Sequence, residues 1–257
     1  MATADQRAEQ NLHPEGMTPN QEKLLDLMFT RAIHVNSQMG RDTSEGREFY
    51  HESFGSAFSV AKPGTGFVFK HHEAHPEAPL APFKINLRNL RPETLEQVGA
   101  VLKDLRHETG LADRVCVGIP EAGAPLAEAF AKAAKIVVKP NILGKAGRAD
   151  GTRTIVANRD HSLKGRVIMV DDVVTHGDTK IEAFTKAKNA GIDISGLLLV
   201  VDREQGGLEF LRKKGYKVWA AFTATQALAY ALRKEFIDKE QYDRSVAYVK
   251  ENKAHQE

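Results

Sequence analysis

An α/β fold, with a central parallel sheet flanked by helices, is predicted by three features of this chain. Short, largely apolar runs recur at 114–119, 136–138, 167–170, 194–201 and 216–222. Each is too short for a helix and several are rich in β-branched residues, the pattern of strands buried on both faces. Stretches with apolar residues at three-to-four spacing separate them, as helices covering a parallel sheet require. Four strand ends, after Gly118, Val138, Val170 and Val201, carry turn signals or polar loops. Ligands of such sheets sit at the carboxyl ends of the strands, so these four should converge on one site.

Composition narrows the class. The chain has 257 residues, enough for one large domain or two small ones. Charged residues make up 27%, close to the ~25% of ordinary soluble proteins. A formal net charge of +2 gives no footprint for nucleic acid or a membrane surface. The single cysteine, Cys116, excludes an intrachain disulfide and suits a reducing, cytoplasmic compartment. No apolar run approaches the ~20 residues of a membrane span, and residues 1–16 lack the apolar core of a signal peptide.

In chain order, residues 1–18 read as a tail with little to bury. A helix is expected from Pro19, with Leu24, Leu25, Leu27, Met28 and Ile33 crowding one side. Phe49, Tyr50, Phe54 and Phe58 at helical spacing predict a second helix over 48–61. Short strands follow at 66–70 and 82–88, separated by a loop dense in Pro and His. His71, His72 and His75 invite a metal reading, but no Cys pair or H-E-x-x-H helix supports it. Residues 19–110 thus read as N-terminal helices and a small α+β hood, and 111–257 as the α/β core. Within that core, 92–108 and 126–134 are helical. Residues 140–159 are long, basic and without periodicity, which marks a functional loop. Helices are also expected from Lys180 to the stop at Gly191, and over 208–214, 225–233 and 239–252.

The stretch 165–180, G-R-V-I-M-V-D-D-V-V-T-H-G-D-T-K, organises the rest. Asp171 and Asp172 follow its strand, and a loop at 175–179 pivots on Gly177. Backbone N–H groups and the positive end of the next helix make such a loop an anion site. Thr175 and Thr179 add hydroxyl donors. Paired carboxylates beside bound phosphate need hydroxyls or a cation, and a phosphorylated sugar with Mg²⁺ supplies both. As strand-tip groups outside the core, either carboxylate should tolerate replacement by Asn with little loss of stability. The plainer reading of the motif is a strand-to-helix turn with Asp172 as a cap.

V-D-D-V-V-T-H-G-D-T resembles the phosphoribosyl-pyrophosphate (PRPP) loop of type I phosphoribosyltransferases. V-D-R-E-Q-G-G at 201–207 resembles the strand-end motif of the orotate phosphoribosyltransferases within that family. The resemblance covers about residue 66 onward. It implies the type I phosphoribosyltransferase-like sheet with a small hood, and transfer of the 5-phosphoribosyl group from PRPP to orotate in pyrimidine biosynthesis. It implies further that Asp171 and Asp172 hold the ribose hydroxyls, with Val173, Val174, Thr175, His176, Gly177, Asp178 and Thr179 forming the PRPP loop. Glu121, Ala122 and Gly123 would be the tip of a pyrophosphate loop. Orotate would meet Lys70, Lys84, Ile85, Thr175 and Arg203. Mg²⁺ would be bound through PRPP near Asp171 and Asp172, with no direct protein ligand assigned. A homodimer is implied, its lid shared between subunits.

The lid departs from the family pattern R-K-E-A-K-D-[HY]-G. The gap-free equivalent here is G-K-A-G-R-A-D-G at 144–151, in which Lys145 matches and Arg148 replaces the second lysine. Lys145, Arg148 and Asp172 are therefore the candidate catalytic residues. Arg148 keeps the charge but is not a practical proton donor. Two other readings follow: a transferase for another nucleobase, with different contacts at Lys70, Lys84 and Arg203, or a non-catalytic PRPP sensor. The altered lid favours the sensor; the intact D-R-E-Q-G-G, which a sensor does not need, disfavours it.

Overall fold

The computed structural model describes residues 16–32, 55–69, 76–147, 153–158 and 165–253. Helix α1 (Pro19–Thr30) opens on Thr18, whose side chain accepts from the Gln21 amide while Gln21 returns a bond to the Thr18 amide, a complete capping box. Its face of Leu24, Leu25 and Met28 is fully buried. Strands β1 (Phe58–Val60) and β2 (Phe83–Ile85) pair antiparallel, and an isolated bridge joins Phe67 to Ala81. Residues 58–60 are thus strand where the aromatic spacing predicts helix. Phe58 and Phe83 stack across the pair at 5.6 Å, so tertiary pairing of aromatics overrides the local period. Residues 48–54 of that expected helix lie outside the described residues, as do residues 1–15 and His71, His72 and His75.

The core proceeds as α2 (Pro92–Thr109), β3 (Val115–Gly118), α3 (Gly123–Ala134), β4 (Val137–Val138), β5 (Leu143–Gly147), β6 (Arg153–Ala157), β7 (Val167–Val174), α4 (Asp178–Asn189), β8 (Ile194–Asp202), α5 (Gly207–Lys213), β9 (Val218–Thr223), α6 (Ala224–Arg233) and α7 (Lys239–Glu251). Five strands form one parallel sheet in the order β4-β3-β7-β8-β9. Apolar side chains alternate across it: Ile168, Val170, Leu198 and Val200 join the cluster containing α1, α2, α3 and α6, and Met169, Leu197 and Leu199 join that beneath α4 and α5. Burial on both faces is what the unbroken apolar runs require. The cluster on the first face continues into the hood through Phe58, Phe67 and Phe83.

Residues 140–159 carry more structure than their lack of periodicity suggests. β5 and β6 form an antiparallel ribbon with Lys145 opposite Ile155. Glu182 on α4 docks it, accepting from the Ile155 amide at 3.1 Å and from the Thr154 hydroxyl. Among the described residues no helix is long and apolar enough to cross a membrane.

Candidate functional site

The order of the sheet fixes where a ligand sits. From β3 the chain moves outward to β4, then returns to β7 on the other side of β3 and continues to β8 and β9. The connections leaving β3 and β7 therefore diverge, and the crevice between their carboxyl ends is the topological switch point. Residues 119–123 leave β3 there, and residues 175–179 leave β7.

Small residues let these turns close. A Cβ on Gly118 would lie 2.3 Å from the Gly123 carbonyl oxygen. One on Gly123 would lie 2.4 Å from the Val170 carbonyl oxygen and 3.0 Å from Asp171 Oδ1. Helix α3 consequently starts at Gly123, three residues before the expected start. Its first turn lies against the end of β7.

β7 runs through both carboxylates to Val174, so Asp171 and Asp172 belong to the strand rather than to the loop after it. Opposite pleats then give them unlike surroundings. Asp171 is 4% exposed. Its Oδ2 is 2.8 Å from Lys180 Nζ, and its Oδ1 accepts from the Asp172 amide at 2.9 Å. Burial pushes its carboxyl above the usual carboxylate range, Lys180 opposes that shift, and the Asp172 charge adds to it. Asp172 is half-exposed, and its Oδ1 accepts from the Val173 amide at 2.7 Å. The premise that both carboxylates lie outside the core, on which the expectation of little loss of stability rests, does not hold for Asp171, which is a buried ion-pair partner. Lys180 is the residue that sequence reasoning missed. Its place in the first turn of α4 aims it back at the strand end, and only the three-dimensional turn reveals that.

Thr175 is half-buried, His176, Asp178 and Thr179 are exposed, and Gly177 is buried at φ 96° as the N-cap of α4. No side chain caps α4, α3 or α5, the three helices that start at the carboxyl edge of β7, β3 and β8. By contrast α1, α6 and α7 each carry a full capping box. First-turn N–H groups left without a side-chain acceptor suit an anionic ligand.

The second motif packs directly on the first. The Arg203 amide donates to the Val174 carbonyl at 3.0 Å, and the Gly207 amide to the Thr175 carbonyl at 2.8 Å. A Cβ on Gly207 would stand 2.4 Å from the Thr175 oxygen. Glu204, at φ 58°, turns its carboxylate to the Thr225 amide at 2.7 Å and to the Thr225 hydroxyl at the start of α6. Asp202 is buried and accepts from the Glu204 amide at 2.9 Å; burial pushes its carboxyl up to about 7. D-R-E-Q-G-G is thus largely a folding motif, and Arg203 is its outward chemistry. The Arg203 guanidinium carbon lies 5.4 Å from the Phe69 ring centroid and 5.1 Å from that of Phe83. Its Nε is buried without a hydrogen-bond partner, and burial lowers its pKa from the ordinary value. No carboxylate among the described residues pairs with it.

Lys84 and Ile85 sit on β2, opposite Ser59 and Phe58, and both are partly buried. Lys145 is exposed on β5. Glu121 is exposed at the tip of the β3–α3 turn, where Arg153 Nη1 reaches its Oε1 at 2.5 Å; Ala122 precedes Gly123 on the same turn. Lys70 and Arg148 lie outside the described residues. Among the described residues no cluster of three His, Cys, Asp or Glu side chains could hold a metal ion. A Mg²⁺ carried mainly by substrate oxygens fits this donor set, with Asp172 as the carboxylate left accessible.

No protein-family model matches the chain. Individual relatives do. Over 144 residues it is 33% identical to the orotate phosphoribosyltransferase of Halobacterium salinarum, the match covering 53% of this chain and 74% of the relative. Over 140 residues it is 31% identical to that of Pyrococcus furiosus, covering 53% of this chain and 75% of the relative. Among solved structures, Leishmania donovani UMP synthase aligns with a TM-score of 0.63 at 21% identity, over 90% of this chain and 42% of that one. The chain therefore spans about two fifths of that synthase. A Francisella tularensis orotate phosphoribosyltransferase aligns with a TM-score of 0.53 at 18% identity, over 85% of this chain and 97% of that one. These structures share the fold, and the sequence relatives add identity over three quarters of their own length. By that measure the chain belongs to the orotate phosphoribosyltransferase family.

Proposed function

We propose that this protein transfers the 5-phosphoribosyl group from PRPP to orotate, giving orotidine 5-monophosphate and pyrophosphate in pyrimidine biosynthesis. The observation that carries the choice of base is Arg203. A partly buried guanidinium whose Nε is buried without a partner, and which meets no carboxylate among the described residues, suits an anionic ligand, and orotate brings a carboxylate and carbonyl oxygens. Arg203 is joined by its backbone to the end of β7, so the anion it receives lies beside the phosphate cradle.

In this reading the 5-phosphate sits on the amides at the start of α4 and on the Thr175 and Thr179 hydroxyls. Asp172 accepts from the ribose hydroxyls, while Lys180 holds Asp171 in place beside it. Pyrophosphate lies against the backbone of residues 121–123, where Lys145 and Arg148 offset its charge. Lys70, Lys84, Ile85 and Arg203 orient orotate so that its N1 faces ribose C1 as the bond to pyrophosphate breaks. Mg²⁺, bound through PRPP near Asp171 and Asp172, supplies charge neutralisation for the leaving group. Orotate N1 is already acidic within its conjugated ring, so no protein nucleophile is called for. The transition state is cationic at the sugar, and fixed dipoles with water excluded favour it.

The reading includes a homodimer sharing its lids and a cytoplasmic setting, the latter in keeping with a single cysteine. The deciding experiment follows orotate absorbance with PRPP and Mg²⁺. Orotate should disappear with stoichiometric pyrophosphate release, and a chelator should stop it. Consumption of adenine, guanine, hypoxanthine or uracil with orotate untouched overturns the assignment. Mixing a Lys145 variant with an Asp172 variant should restore part of the activity if lids are shared.

A further inference from the structure

We propose that Phe83 on β2, backed by Tyr248 on α7, is a positioning residue for Arg203 and forms with Phe69 an aromatic clamp that orients its guanidinium without neutralising it. The inference rests on the orotate reading above and assigns base selectivity to the hood and the last helix as well as to the D-R-E-Q-G-G motif.

A recognition arginine must be held still, and the usual device is a carboxylate. Here that device would defeat the purpose, because a paired carboxylate competes with an anionic ligand for the same donors. An aromatic face attracts the cation through its quadrupole yet leaves the N–H edge free for hydrogen bonding. Phe83 lies 5.1 Å below the guanidinium carbon, and Tyr248 meets the Phe83 ring edge-on at 6.1 Å and 84°.

The clamp is braced from behind. Phe83 stacks on Phe58 at 5.6 Å, and Phe58 on Phe29 of α1 at 4.7 Å. α7 is fastened to the hood by Gln241 Nε2, which donates to the Ala61 carbonyl at 3.2 Å. Arg244 adds donations to the Lys62 carbonyl at 3.1 Å and to the Thr65 carbonyl. A rigid run of rings therefore extends from α1 to the base side of the site, and α7 fixes its far end.

Full-length Phe83→Leu, Phe83→Tyr, Tyr248→Leu and Tyr248→Phe variants test this. Orotate KM and kcat are measured at saturating PRPP, with calorimetric binding of orotate and of PRPP. Phe83→Leu should raise orotate KM about tenfold or more, the scale of a desolvated cation–π contact. PRPP affinity should stay within about twofold. Phe83→Tyr, which keeps the ring, should restore most of the orotate affinity. Tyr248→Leu should weaken orotate binding and Tyr248→Phe should not. If Phe83→Leu does not fold, the Tyr248 pair carries the same comparison. Unchanged orotate KM in the leucine variants, or equal weakening of orotate and PRPP, overturns the clamp while leaving the base assignment intact. A wild-type protein that binds PRPP but not orotate overturns both.

Discussion

Lys180 Nζ and Asp171 Oδ2 stand 2.8 Å apart at the end of β7, with both side chains nearly withdrawn from solvent. Removing one member of a buried pair strands the other charge. Lys180→Met should therefore destabilise the fold by about 3–5 kcal/mol, read as a fall in Tm and in the denaturant midpoint. The double variant Lys180→Met/Asp171→Asn should recover much of that loss, since no buried charge remains.

Asp172 is expected to behave differently. It is partly buried and pairs with no cation among the described residues. Asp172→Asn should leave Tm within a degree or two, a change of about 0.5 kcal/mol or less, and weaken PRPP binding or turnover at least tenfold. Unchanged PRPP affinity would assign the residue to capping alone.

Asp202 predicts a pH dependence. Burial raises its carboxyl from 3.8 to about 7 in the folded protein. The folded state then holds a proton that the unfolded state releases between those values. Its contribution is fully present below pH ~4 and is lost as pH rises through ~7. Asp202→Asn should flatten the decline in stability across that window, measured by chemical denaturation at a series of pH values.

Gly207→Ala places a methyl carbon where the Thr175 carbonyl oxygen already stands. The backbone must move, at a cost of about 1–3 kcal/mol, and the displaced group belongs to the PRPP loop. PRPP affinity should fall together with stability, whereas Gly215→Ala, whose Cβ meets nothing within 4 Å, should spare PRPP binding.

Arg148 tests the role of charge in the lid. If its cation offsets charge on the departing pyrophosphate, Arg148→Lys should change turnover by less than about tenfold, ~1.4 kcal/mol of barrier. Arg148→Ala should lower it much further in single-turnover measurements. An untouched rate in the alanine variant would pass the role to Lys139 or Lys145.

The parallel sheet was legible because its strands are buried on both faces, so runs such as 167–170 and 197–201 carry no polar interruption. The loop at 175–179 was legible because its backbone chemistry calls for glycine and hydroxyl residues, and the motif at 201–207 through its resemblance to the family. The division of labour between Asp171 and Asp172 was not: adjacent residues look equivalent until the pleat sends them to opposite sides. The strand at 58–60 was hidden because Phe49, Tyr50, Phe54 and Phe58 suit a helix as well as a sheet. The β5–β6 ribbon was hidden too. It is docked by Glu182, a residue from another element, and no local period announces it.

If the proposed substrates bind as described, the two hydrogen bonds shared by the motifs would make each an effector of the other. A PRPP molecule that steadies the Thr175 carbonyl also steadies the Gly207 amide and, two bonds of the sheet away, the strand end that carries Arg203. By linkage, whatever factor PRPP adds to orotate affinity, orotate returns to PRPP. Cooperativity between the two ligands would then arise within one site of one subunit, without any change of quaternary state.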